Sequence, residues 1–326
     1  MKIQLSRRVA LACAVAFTAL PAIGQDAWPT SPVRVFVGFP AGSSPDTLAR
    51  IVTDQLAQRL GQPIVIENRP GAGGVIGVQQ MLVSAGDGHT FGTTINGPLT
   101  TAQRMMDSTG YNVETDIMPV TLMATSPLVL AVSANSDIAD LDSFIAAAGA
   151  EAEAIAYGSV GQGSGAHLTA ELFASEAGVS MLHVPFTSYA EVTTSILGGE
   201  IDAGFMAPSA ALPFVEAGSM RMLGITSAAP FAQAPDVPVL AGNAGLSDDF
   251  RAELWNAFIA PAGTDAAVID RMNAEIAEIL ADPAVQEQLL AIGWQAAPGT
   301  PDALRERIVV DTAMWGGVID RVQAQQ

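Results

Sequence analysis

The chain has 326 residues, 49% of them hydrophobic, and a formal charge of −19 at pH 7 from 14 Lys and Arg against 33 Asp and Glu. So acidic a chain, with no basic block, repels phosphate backbones, which argues against nucleic-acid binding. Its only Lys is Lys2 and its only Cys is Cys13. A P-loop, a lysine Schiff base and a disulfide framework therefore have no residues to build on in the body of the chain.

The first residues read as a secretory signal peptide. Lys2, Arg7 and Arg8 form a positive n-region, residues 9–20 an apolar run, and Ala22-Ile23-Gly24 a small-residue cleavage site near Gly24. The run is too short to span a bilayer. Ser6-Arg7-Arg8 hints at twin-arginine export, but Ala10 stands where a bulky apolar residue is usual. Ala10-Leu11-Ala12 is a poor lipobox for Cys13. Loss of residues 1–24 would leave 11 Arg against 33 acids, a charge of −22. The expectation is an exported, soluble chain stabilised by its core. Its acidity reads first as a solubility device.

Strands at 33–39, 64–67 and 89–95 alternate with helices at 44–60 and 74–84, an order that predicts a parallel sheet covered on both faces. Two extended runs, 118–124 and 128–133, flank Pro127. The alternation then restarts with a helix from Asp140, a strand near 155–157, a helix at 164–177 and a strand at 181–184. A helix at 190–198, a strand at 203–207, a short helix at 210–217 and a strand at 221–226 follow. Residues 228–250 are an irregular Pro/Gly/Ala-rich connector. Beyond lie a strand at 254–260, a helix at 265–280 with Val268, Ile269, Met272, Ile276, Ile279 and Leu280 in helical register, and a closing helix at 301–322. Two βα lobes joined by extended crossings predict a hinged α/β binding protein with its cleft between the lobes. Lobe 1 is expected over 25–124 plus about 228–326, and lobe 2 over about 125–227.

Three Gly-rich turns compete as sites. The first, in "GFPAGSSPD", leads from a strand into a helix and offers backbone N–H groups of residues 41–44 to an anion. Asp46 reads as a first-turn helix residue that complements the dipole, not as a ligand contact. The second, Gly71, Gly73 and Gly77, has the wrong spacing for a dinucleotide fingerprint and reads as a tight structural turn. The third, "YGSVGQGSGAHL", places Ser159, Gly161, Gly163 and Ser164 ahead of a helix with His167 on its first turn. A hydrolase using Ser164 or Ser159 with His167 is the sharp alternative, yet the run is no nucleophile elbow, and His89 and His183 lack any motif tying them to a nucleophile. Three scattered His also offer no metal-ligand spacing. The economical reading is a non-enzyme without cofactor or metal, with one anion loop in each lobe.

The series "WPTSPVRVFVGFPAGSSPDTLAR", "LGQPIVIENRPGAGGVIG", "YGSVGQGSGAHLTAELF", "VPFTSYAEVTTSILGGEIDAGF" and "FIAPAGTDAAVIDRMNAEI" resembles the Bug-type receptors of tripartite tricarboxylate transporters, from Trp28 almost to the C-terminus. The resemblance implies a type II-like periplasmic-binding-protein fold, with a mostly parallel sheet flanked by helices in each lobe. It also implies a monomeric periplasmic receptor that closes over a small di-, tri- or aromatic carboxylate. That solute would pass to membrane permease subunits, or in some members to a sensor kinase. Carried over by position, Phe39, Ala41, Gly42, Ser43 and Ser44 would form one wall of the site, and Ser159, Gly161, Ser164 and His167 the facing one. Thr94, Asn96 and Gly97, then Thr187, Ser188, Tyr189 and Met206, would shape the rest. The family commonly has Gly-Gly near Ser43-Ser44, a Tyr-Lys-Gly-like stretch at Phe186-Thr187-Ser188 and an Asp at Met206. Those changes suit a more apolar solute, or, for Met206, a change of packing.

Overall fold

The computed structural model describes residues 28–84 and 86–324; the signal peptide expected over 1–24 lies outside the described residues. The first sheet starts from β1 (Val33–Val37), whose Val33, Val35 and Val37 are fully buried, as the β-branched run requires. A loop leads into α1 (Ser44–Leu60), which carries Pro45 and Asp46 in its first turn and stops at Gly61. β2 (Ile64–Asn68), α2 (Val75–Leu82) and β3 (Thr90–Ile95) complete the unit, and β1 pairs in parallel with both β2 and β3. Glycine decides how closely α2 lies on β1. A Cβ on Gly77 would stand 2.4 Å from the Gly38 Cα, and one on Gly38 would stand 2.5 Å from the Gly74 carbonyl oxygen.

Three short helices follow, α3 (Asn96–Leu99), α4 (Ala102–Met105) and α5 (Val113–Asp116), then the long strand β4 (Ile117–Pro127). After Leu128 the chain enters the second sheet. Its elements are β5 (Val129–Ser133), α6 (Leu141–Ala148), β6 (Ala156–Ser159), α7 (Gly165–Ala177), β7 (Leu182–Pro185), α8 (Tyr189–Gly198), β8 (Ala203–Met206), α9 (Pro208–Glu216) and β9 (Met220–Ile225). The irregular connector then leads back to the first sheet. There lie β10 (Glu253–Pro261), α10 (Ala266–Leu280), α11 (Pro283–Ala291), the two-residue β11 (Gln295–Ala296) and the closing α12 (Pro301–Ala324).

The strand orders are β11-β4-β10-β3-β1-β2 and β7-β6-β8-β5-β9. Both sheets are mixed. The β-α-β strands run parallel, as their helical crossovers demand. β10 instead runs antiparallel between β3 and β4, because it re-enters the first sheet from the other lobe. β5 is likewise antiparallel to β8 and β9. Each sheet is covered on both faces. Val35, Leu48, Phe91, Phe258 and Met272 pack on the α1/α10 side of the first sheet, and Phe36, Met81, Trp255 and Leu304 on the α2/α12 side. In the second sheet Leu130, Phe144, Tyr157, Phe173 and Phe205 fill one face, and Val129, Val192, Ile196 and Met206 the other.

Candidate ligand-binding site

A cavity of about 380 Å³ lies where the two sheets' loops meet. The first sheet contributes Asn96, Gly97 and Pro98 of α3, with Met105 and Met106 just beyond. The second contributes Gly163, Ser164, Gly165 and Leu168, the crossings contribute Leu128, Glu253 and Leu254, and Trp315 of α12 closes one side. Its wall is therefore mostly apolar with a few polar groups, the usual make-up of a small-molecule site. The polar end is the start of α7. Ser164 caps that helix, its Oγ accepting from the His167 N–H at 3.3 Å. Gly165 and Ala166 are its first two residues, so their N–H groups have no acceptor within the helix, and the positive end of the dipole opens on the cavity at Gly165.

Of the residues expected from sequence, Asn96, Gly97 and Ser164 meet on this wall. Phe39 stands behind it. A Cβ on Gly74, next to the lining residue Gly73, would meet the Phe39 ring at 2.9 Å and Pro98 at 3.1 Å, so the ring packs beside α3. Thr94 is buried within the sheet, its hydroxyl 3.3 Å from the Ile95 carbonyl. Near it, at the same end of β3, the hydroxyl of Thr93 and both side-chain polar atoms of Asn256 are buried without a partner among the described residues.

Thr187 and Ser188 lie away from the wall in a helix cap. The Glu191 carboxylate accepts from the Thr187 N–H at 2.8 Å and hydroxyl at 2.9 Å, while Ser188 Oγ accepts from the Glu191 N–H. Those bonds hold the Glu191 carboxyl below its ordinary value. Tyr189 packs between the two cores of the second lobe, and burial pushes its phenol up to about 12. Met206 corrects an expectation. It is fully buried against Val129, Val192 and Ile196, with the Thr193 hydroxyl 3.9 Å from its sulfur, and so sits in the core and not on the cavity wall.

The first loop also differs from expectation. Asp46 is fully buried and folds back over the loop, so its role exceeds that of a charge at the dipole end. Its carboxylate accepts from the Gly42 N–H at 2.8 Å, from Arg50 at 2.9 and 3.1 Å and from Asn68 Nδ2 at 2.7 Å. Burial alone would raise this carboxyl, but the Arg50, Asn68 and Gly42 hydrogen bonds outweigh it and hold it below 3.8. The Ser43 N–H donates to the Pro40 carbonyl at 3.1 Å, and the Ser44 hydroxyl accepts from Trp294 Nε1 at 2.5 Å. Of residues 41–44, only Ala41 and Ser44 keep N–H groups clear of these bonds. Gly42 has φ +81° with open space at its Cβ position, so the turn, not crowding, requires glycine there.

Behind the third loop lies a buried cluster that sequence reasoning did not assemble. His167 and His183 stack at 4.0 Å, and Tyr157 stacks on the far side of His183 at 5.0 Å. His167 Nδ1 accepts from the Gly163 N–H at 3.0 Å, which fixes the ring as an acceptor toward the loop. The Ser159 hydroxyl is 2.7 Å from His183 Nε2 and 3.1 Å from the Gly161 carbonyl. Burial lowers both histidines; Glu171 partly offsets this at His167, while the His167 neighbour adds to it and leaves His183 at about 4. The Tyr157 phenol donates to Glu171 at 2.7 Å. The serine–histidine contact that exists is thus Ser159 with His183, and Ser159 is fully buried, out of reach of an ester. Ser164 serves as a helix cap and His167 as a loop anchor, so neither forms a nucleophile–base pair with the other. The strand pairing of Gly158 with Val184 sets these residues side by side, a register that no local motif announces.

Two α/β lobes, a mostly apolar cavity where their loops meet and a helix N-terminus opening on it make up a two-lobed binding-protein fold. Residues 48–323 match the model of the tripartite tricarboxylate transporter family receptor. The chain is 33% identical over 96% of its length to a UPF0065 protein from the tcbD-tcbE intergenic region of a Pseudomonas species, and 34% identical over 93% to protein BugT of Bordetella pertussis; each match covers 93% of the relative. Among solved structures, a TctC solute-binding protein from Polaromonas shares the fold at a TM-score of 0.82 and 24% identity, covering 90% of this chain and 99% of that one. Adipate-bound Rpa4515 of R. palustris follows at 0.71 and 28%, covering 90% and 97%. Malate-bound MatC of Rhodopseudomonas palustris stands at 0.67 and 27%, covering 90% and 100%. The chain belongs to the tripartite tricarboxylate transporter receptor family.

Proposed function

We propose that this protein is a periplasmic receptor that holds a small carboxylate between its lobes and passes it to the membrane permease of a tripartite tricarboxylate-type transporter, with no chemistry on the solute. The observation that carries the reading is the open first turn of α7 on an otherwise apolar cavity. Gly165 offers an N–H donor there beside the Ser164 hydroxyl, and Asn96 and Gly97 approach from the other lobe. A charge-assisted hydrogen bond contributes about 1.5–3 kcal/mol, so two or three such donors suffice for a micromolar site once their entropic cost is met. The unpartnered Thr93 and Asn256 atoms at the end of β3 support the same end of the sheet as the place where water or a ligand oxygen is held. The adipate and malate held by two related structures point to the same solute class. The moving bodies in this reading are residues 25–124 with about 228–326, and about 125–227, hinged at Leu128 and the returning connector. Closure follows because the solute touches both lobes only in the closed form.

Calorimetric titration with mono-, di- and tricarboxylates tests this, alongside Ser164→Asp. Aspartate caps a helix as well as serine does, so the fold is kept. A new anion roughly 4 Å from a bound carboxylate costs about 1–4 kcal/mol, or about fivefold or more in affinity. Failure of every carboxylate to bind would refute the function, and full affinity in Ser164→Asp would refute the site.

A further inference from the structure

The cavity wall carries one acidic side chain, Glu253, and its position is unusual for a site that receives an anion. The residue is the first of β10, at the crossing between lobes, and only 9% exposed. Arg307 of α12 is its sole ion-pair partner among the described residues, at 3.4 Å. That guanidinium is already committed elsewhere. Its Nε donates to both oxygens of Asp311 at 2.8 and 2.9 Å, and Asp311 also accepts from Trp255 Nε1 at 2.6 Å. Only long contacts of 3.4 and 3.5 Å are left for Glu253, and both go to Oε2. Among the described residues, no hydrogen bond reaches Oε1. Burial accordingly pushes this carboxyl up, against the pull of Arg307 and Arg251. A buried acid with one acceptor unmade among the described residues, set among Leu128, Leu254 and Trp315, calls for a donor from outside the protein.

We propose that Glu253 sets the solute specificity of this receptor. It selects a monocarboxylate whose apolar body ends in a hydroxyl or ammonium donor, and it rejects a diacid of the same length. The inference rests on the carboxylate-receptor reading above. The solute's carboxylate occupies the α7 end, its apolar body lies along the leucine and tryptophan wall, and its far donor bonds to Oε1. A second carboxylate in that place would meet an acid where it needs a donor, which discriminates by repulsion as much as by attraction.

Two sets of probes matched in size test it by calorimetry at about pH 8, several units above the ordinary value of a carboxyl group. One set is hexanoate, 6-hydroxyhexanoate and adipate; the other is benzoate, 4-hydroxybenzoate and terephthalate. In the scaffold that binds, the hydroxy acid is expected to bind about ten- to a hundredfold more tightly than either companion, the worth of one charge-assisted bond. Glu253→Gln offers an amide donor in place of the charge, so its ratio of hydroxy acid to diacid should fall about tenfold or more, with the melting temperature confirming a folded variant. A wild-type protein that binds the diacid as tightly as the hydroxy acid overturns the proposal without any need of the variant. So does an unchanged ratio in folded Glu253→Gln. Binding of carboxylates without this ranking leaves the receptor function standing and sinks only the role of Glu253; no binding by any carboxylate sinks both.

Discussion

Asp46→Asn examines how the first loop is held. In the wild type one buried carboxylate satisfies Gly42, Arg50 and Asn68 together. The amide keeps the size but loses the charge, and one of its two heavy atoms becomes a donor facing donors. Arg50 is 46% exposed, so its guanidinium returns to water at little cost and its share is discounted to the level of a surface pair. The Gly42 N–H and the Asn68 amide are left with a weakened or missing acceptor, at about 1–3 kcal/mol for the pair, and the lost charge brings the whole to about 2–4 kcal/mol near neutral pH. The cost must also depend on pH. The carboxyl lies below its ordinary value of 3.8 in the fold, so its stabilisation is present above the unfolded value and is lost as pH falls through the folded one. Urea denaturation of wild type and variant near neutrality and near pH 3 measures both effects. A difference under about 0.5 kcal/mol at neutral pH, or one that does not shrink in acid, would refute the reasoning.

The stacked histidines predict a second pH dependence. Burial lowers His167 and holds His183 at about 4, so stability is full above the unfolded value of about 6.5 and falls by up to about 1.4 kcal/mol per pH unit for each ring as the pH drops through that window. Denaturation midpoints over that range should decline in the wild type and flatten in His183→Gln; a flat wild-type curve would count against it. Asp311→Ala strands the nearly buried Arg307 and the Trp255 N–H, so urea unfolding should show a loss of about 3–5 kcal/mol, less for Asp311→Asn, which keeps an acceptor. Gly77→Ala drives a methyl into the Gly38 backbone and should cost about 1–3 kcal/mol by thermal melts, whereas Gly198→Ala, with open space near the end of α8, should be neutral or stabilising.

The long elements were legible because their signals are local. The Pro45-Asp46 start and Gly61 stop frame α1, the apolar stripe from Val268 to Leu280 sets α10, and the β-branched run gives β1. The short helices α3, α4 and α5 were not, since four residues carry no period and no nucleus of their own. Part of the cavity wall was lost with them, Pro98, Thr101, Ala102, Met105 and Met106. Glu253 could not be found either. A single acid at the head of a strand means nothing until Arg307, 54 residues later, packs against it and turns away toward Asp311. His183 was set aside for want of a motif, and its meeting with Ser159 depends on β6 lying beside β7. What sequence could not express in each case was distance across the fold.

The same physics bears on how so acidic a chain would hold the proposed anion. α1 and α7 begin alike, each after a strand and a glycine-rich loop, each with an extended serine at its N-cap. Their first turns are completed differently. At α1 the chain supplies its own anion, since Asp46 takes the Gly42 N–H and is neutralised by Arg50. At α7 no acidic residue stands in the first turn, and the loop is tied down by neutral groups, the Ser164 hydroxyl and the His167 ring. A neutral anchor leaves the positive end of α7 uncompensated where it meets the cavity, whereas a carboxylate anchor would have filled it. The charge on the surface is screened over about 10 Å and has little say inside a closed cleft. In the proposed reading, then, the two anchors differ in what they leave open: Asp46 fills the start of α1, while His167 leaves the start of α7 free for a solute anion.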